Sequence, residues 1–95
     1  MNAAYDELWV QLYAAYQQSA EGKGKERHAN NLPWVEQPIF LVAQQHGIGF
    51  LTGQAAKKLG EAVMMIERGE YEKAHQELLG AIVYTAAAAH TTRES

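Results

Sequence analysis

The chain has 95 residues, of which 47% are hydrophobic and 20% charged, with a formal net charge of -3. At that length folding removes little more than about 60% of the unfolded surface from water, so one small domain is expected and a large private core is not. Cysteine is absent, which excludes disulfides, thiolate nucleophiles and Cys-ligated zinc or iron–sulfur centres.

The opening MNAAYDELWV carries Asp6 and Glu7 where the apolar part of a secretory signal would stand. The longest apolar run, residues 81–89, is too short to cross a bilayer and contains Thr85. A soluble cytoplasmic protein without membrane attachment is therefore expected. Lys23, Lys25 and Arg27 are interleaved with Glu21 and Glu26, and Lys57 with Lys58 makes only a small basic spot. Without a basic stripe, nucleic-acid binding through phosphate neutralisation is not expected.

Tyr5, Leu8, Trp9, Leu12, Tyr13 and Tyr16 recur at steps of three and four, which predicts a helix over about residues 3–18. Asn2 can cap it, and Asp6 and Glu7 suit the positive end of its dipole. Its aromatic stripe has the spacing of a core or interface surface. The apolar period then lapses over residues 19–37, where Gly22, Gly24 and the charges mark a loop. Pro33 and Pro38 disfavour helix for the residue before each, so the second helix is predicted over about residues 38–46, capped by Gln37 and stopped at Gly47.

A third helix is predicted over about residues 51–68, with Leu51, Ala55, Leu59, Ala62, Val63 and Ile66 on its apolar side, Met64 and Met65 filling core gaps, and Gly69 ending it. The fourth, over about residues 71–91, has Tyr71, Ala74, Leu78, Ile82 and Thr85 as its main stripe. Leu79, Val83 and the alanines at 86–89 widen that stripe almost to the full circumference, and a helix apolar all round is buried all round. The expected architecture is all-α: a single four-helix domain over residues 1–95, ending in a long antiparallel hairpin and assembled through it into a helical-bundle homodimer or larger homo-oligomer. Ala87→Glu is the substitution expected to break that shared core.

For chemistry the inventory is short. Asp6 is the sole aspartate and serine occurs only at 19 and 95, too few parts for a catalytic triad. The mixed stretch RHANNLPWVEQPIF, residues 27–40, offers donors from Arg27, His28, Asn30 and Asn31 and a stacking face from Trp34, a set suited to a small ligand or a partner protein. Its structural reading has the asparagines making turns, the prolines stiffening the backbone and Trp34 anchoring the loop. Glu72 and His75 have the Glu-x-x-His spacing of carboxylate-bridged metal bundles, to which Glu61 could add an acid, but His75 also suits a hydrogen-bonded position at the edge of the apolar stripe. His46 and His90 stand near predicted helix ends, where they complement the dipole.

The segment KKLGEAVMMIERGEYEKAHQELLGAIVY, residues 57–84, resembles the helical hairpin of the all-α nucleoside triphosphate pyrophosphohydrolases, the MazG and dUTPase-like group, and the likeness extends over residues 51–95. In that family a Glu-Glu-x-x-Glu motif on one helix faces a Glu-x-x-Asp motif on the next, making an oxygen cage for magnesium. Here Lys57 and Lys58 stand where the first motif has glutamates and only Glu61 is kept; Glu77 is kept in the second, with Gly80 in place of the aspartate. The resemblance thus implies the scaffold with a degenerate acidic motif, hence a non-catalytic binding or interaction protein with no cofactor and a protein or nucleotide as partner. The alternative is a magnesium-dependent pyrophosphohydrolase in which Glu61 and Glu77 hold the metal, helped by Glu36 or a carboxylate from another subunit. GEYEKAHQELLGA, residues 69–81, also resembles one tetratricopeptide hairpin, but a single copy cannot stack into a solenoid.

Overall fold

A computed structural model describes residues 2–21 and 31–93. Arg27, His28 and Asn30 lie outside the described residues. Among the described residues every regular element is helical: α1 (Asp6–Ala20), α2 (Pro38–His46), α3 (Gly49–Glu67) and α4 (Tyr71–Arg93), with short 3-10 helices at Ala3–Tyr5 and Trp34–Glu36. The chain is all-α.

Local chemistry accounts for the boundaries. Asn2 Oδ1 accepts the Ala4 N–H at 3.0 Å and caps the 3-10 turn that leads into α1. Pro38 occupies the first turn of α2, where an amide hydrogen would have had no intrahelical partner. Gln37 stands at the N-cap position, but its side chain does not cap the helix as predicted; Nε2 donates to the Leu32 carbonyl at 2.7 Å and folds the segment before α2 back on itself. Gly47 and Gly69, at φ 91° and 76°, stop α2 and α3 in the left-handed region that glycine adopts without a Cβ clash. α3 starts at Gly49, so Ile48 and the stop glycine alone connect it to α2.

α4 is the central rod. α3 returns antiparallel along one flank and α1 lies along another, while α2 packs over the C-terminal half of α4, where Phe40, Ala43, Leu51, Ala87 and Ala88 form one buried cluster. Two side-chain bridges fix α1 against α4: His75 Nε2 lies 2.8 Å from Gln11 Oε1, and Gln18 Nε2 donates to the Gln76 carbonyl at 3.2 Å. His75 is thus the hydrogen-bonded, exposed residue of the structural reading. His90 sits in the last turn of α4 but also packs edge-on against the Phe40 ring, with centroids 5.8 Å apart.

The buried positions are mostly alanine. Ala15, Ala43, Ala55, Ala62, Ala74, Ala81, Ala87 and Ala88 are buried, and Phe40, Leu51 and Leu79 are the large residues that join them. Small side chains let helix backbones approach closely, which explains why Ala87 and Ala88 of the α4 alanine run lie inside this chain while Ala86 and Ala89 remain exposed. With α1, α2 and α3 all packed on α4, the broad apolar circumference of that helix does not by itself require a second subunit, and Ala87, at 0% exposure, reports on the fold of one chain.

Several residues of the predicted apolar stripes face outward within the single chain. Leu59, Val63, Met64 and Ile66 on α3, Tyr71 and Leu78 on α4, and the whole aromatic stripe of α1 are exposed. Leu51, Ala55 and Ala62 set the buried line of α3, and Leu59, Val63 and Ile66 fall on a neighbouring line that no element among the described residues covers.

Candidate functional site

Beside α4, between α1 and the segment leading into α2, lies a cleft of about 710 Å³. Leu12 and Tyr16 of α1 form one wall, Trp34, Pro38 and Ile39 another, and Gly80, Val83 and Tyr84 of α4 the floor. Trp34 is held in place by an edge-to-face contact with Phe40, centroids 4.8 Å apart, and a tilted one with His90. It therefore anchors the segment and also borders the cleft. Asn31 also lines the cleft, so of the candidate ligand-binding residues Asn31 and Trp34 are brought together here.

Lys58 supplies the charged corner. Its stem lies across α4 at Gly80, where an added Cβ would stand 2.8 Å from Lys58 Cδ and 3.0 Å from Cε. The ammonium lies 3.6 Å from Glu77 Oε2 and 6.0 Å from the centre of the Tyr84 ring. Both partners of the ion pair are about three-quarters shielded from water, yet a single contact at this length contributes only about 1 kcal/mol or less. Tyr84 is half-buried and meets Phe50 edge-on at 6.2 Å, and burial pushes its phenol above the usual tyrosine range.

This donor set does not fit magnesium. Glu77 already faces an ammonium, position 80 contributes no oxygen, and a hard cation needs several oxygen ligands in octahedral array. Glu61 is partly buried one turn along α3 from Lys58, and Glu36, the suggested helper, is exposed in the 3-10 helix before α2. Among the described residues no group of three or more His, Asp or Glu side chains is placed to hold a metal ion. Glu72 and His75 border a shallower hollow between α1 and α4 with Gln17, Gln18 and Glu21.

The sequence reading missed Lys58, Gly80, Tyr84 and the α1 wall as parts of one site. One signal was available: a glycine inside a helix weakens it by about 1 kcal/mol relative to alanine and usually marks a close approach. Gly80 is such a glycine, and the group that approaches it is the lysine stem. No known protein family, curated protein or solved structure matches the chain. No helix among the described residues is long and apolar enough to cross a membrane.

Proposed function

We propose that this protein is a non-catalytic binding module, built on a scaffold that resembles the all-α pyrophosphohydrolases, whose ligand site is the cleft between α1, α4 and the Trp34 segment. The observation that carries this reading is the seating of Lys58: its stem on Gly80 and its ammonium on Glu77 put a resident cation where the resemblance would have magnesium. The volume falls within the range of small-molecule sites, and the walls are apolar with a few polar groups at one corner, the usual composition of such pockets. Because the lysine and glutamate charges offset one another, the ligand is a largely apolar, flat molecule with a hydrogen-bond acceptor for the remaining ammonium protons. The scaffold acts as a cytoplasmic homo-oligomer, and no cofactor takes part.

A thermal-shift series with indole, nucleosides and nucleoside triphosphates, each with and without magnesium, tests the assignment. A ligand at 100 times its dissociation constant adds about 2.7 kcal/mol of stability. The expected result is a magnesium-independent rise with a ring compound that is lost in Ala86→Trp, a substitution at an exposed position on the cleft wall. No shift from any of these compounds would overturn the small-ligand site. A magnesium-dependent rise, with triphosphate hydrolysis removed by Glu61→Ala or Glu77→Ala, would establish the pyrophosphohydrolase alternative instead.

A further inference from the structure

Along α1, Tyr5, Leu8, Trp9, Leu12, Tyr13 and Tyr16 are each between 41% and 64% exposed, and at about 150–250 Å² for a whole aromatic side chain this face alone offers some 600 Å² of apolar surface. Its rings are already ordered in a ladder, Trp9 on Tyr13 at 5.9 Å and Tyr13 on Tyr16 at 5.9 Å, with interplanar angles of 25° and 12°. Domains close by packing one layer of elements on another; here α1, α4 and α3 make a layer whose α1 face no element among the described residues covers.

We propose that a second copy of this chain docks on the aromatic face of α1, with α1 crossing its counterpart antiparallel about a two-fold axis. Charge selects this occupant. From Leu8 to Ala20 the helix carries no ionisable acid or base other than tyrosine, so the face offers nothing to a charged partner, and two chains of net charge -3 can meet there without opposing like charges. The only acids of α1, Asp6 and Glu7, sit in its first turn, and the antiparallel arrangement sends the two pairs to opposite ends, whereas a parallel one would set them side by side. Area agrees at the lower end: specific interfaces bury from about 600 Å² per partner upward, which is about what the stripe offers. An isologous contact uses the same patch twice, so one uncharged aromatic face suffices. The other exposed line, Leu59, Val63 and Ile66 on α3, is narrower, carries no aromatic side chain and has Lys57, Glu67 and Arg68 exposed nearby.

The proposal rests on the homo-oligomer part of the reading above and names its face. Sedimentation equilibrium across a micromolar concentration series tests it on the wild type, Tyr13→Lys and Val63→Lys, each checked for helix content by circular dichroism. The expected mass for the wild type and for Val63→Lys is twice the 10.5 kDa of the chain, while Tyr13→Lys weakens association at least about thirtyfold, as loss of a central aromatic anchor does. A monomeric wild type would overturn both this assignment and the oligomer reading. A dimer that survives Tyr13→Lys but falls apart with Val63→Lys would overturn the α1 face alone. Should Tyr13→Lys fail to fold, iodide quenching of Trp9 in a Trp34→Phe background decides: quenching that falls as protein concentration rises supports the interface, and quenching independent of concentration in a dimer rejects it.

Discussion

On the hairpin of α3 and α4 most buried side chains are alanines, Ala55, Ala62, Ala74, Ala81, Ala87 and Ala88 beside Leu51 and Leu79, whereas along α1 the exposed positions include Tyr5, Trp9, Tyr13 and Tyr16. The two regions sort residues by size in the direction opposite to a self-sufficient domain. Alanine contacts bring backbones close and fix geometry, but each removes little apolar area from water; a large side chain fully buried contributes about 1.5–3 kcal/mol, and most of those in this chain are outside. The inner region therefore sets the fold with a thin margin, and the outer region holds apolar area that no other described element covers.

The contrast breaks most visibly at Ala87. This side chain is 0% exposed among the apolar side chains of Phe40, Ala43, Leu51 and Ala88. Ala87→Glu is expected to cost upwards of about 4 kcal/mol, through an unpaired buried carboxylate and the volume it forces in. For a domain whose total stability is of the usual 5–15 kcal/mol, that leaves little or no cooperative melting by circular dichroism. Normal melting would mean that the position is accessible and that the alanine-lined interior is wrongly placed.

Gly80→Ala has a smaller expected effect and asks whether a small residue serves backbone approach or seats another side chain. The atoms nearest to an added Cβ all belong to the flexible end of Lys58, so the lysine can swing away. The helix then gains up to about 1 kcal/mol of propensity against the loss of an ion pair contributing less than about 1 kcal/mol. The melting temperature should stay level or rise by up to about 5 °C. A fall of more than about 2 kcal/mol would show that α4 is held at Gly80 by its neighbours' backbone, as the alanines are, and that the lysine seat is incidental.

Much of the fold was legible because local chemistry fixed it: the Gly47 and Gly69 stops, Pro38 in the first turn and the Asn2 cap all act within a few residues of sequence. Which side of a helix turns inward was less legible. The apolar residues of α3 span a wide arc, and period alone does not say whether Leu51, Ala55 and Ala62 or the adjoining Leu59, Val63 and Ile66 meet α4; the smaller set won because helices in a tight hairpin pack through their smallest side chains. The site was the least legible part. Its walls come from residues far apart in sequence, Tyr16, Trp34 and Tyr84, and the Lys58–Glu77 pair crosses the hairpin at a register that no spacing within one helix can give.

At the turn of that hairpin the size contrast gives way to charge, and the expected effect is smallest. Glu70 accepts from Arg68 Nε at 2.6 Å and from Lys73 Nζ at 3.3 Å, and these two hydrogen bonds hold its carboxyl below the ordinary carboxylate value of 4.5. A carboxylate whose folded value is depressed stabilises the fold above its unfolded value, and that contribution disappears as pH falls through the folded value. Glu70→Gln should therefore lower the melting temperature slightly at neutral pH, with the difference from wild type closing as pH falls below about 4.5. Because the pair is open to water, added salt should shrink the neutral-pH difference too. A difference that persists in acid would assign the effect to the Ala74 N–H to Glu70 carbonyl bond that starts α4, and hence to backbone geometry instead of charge.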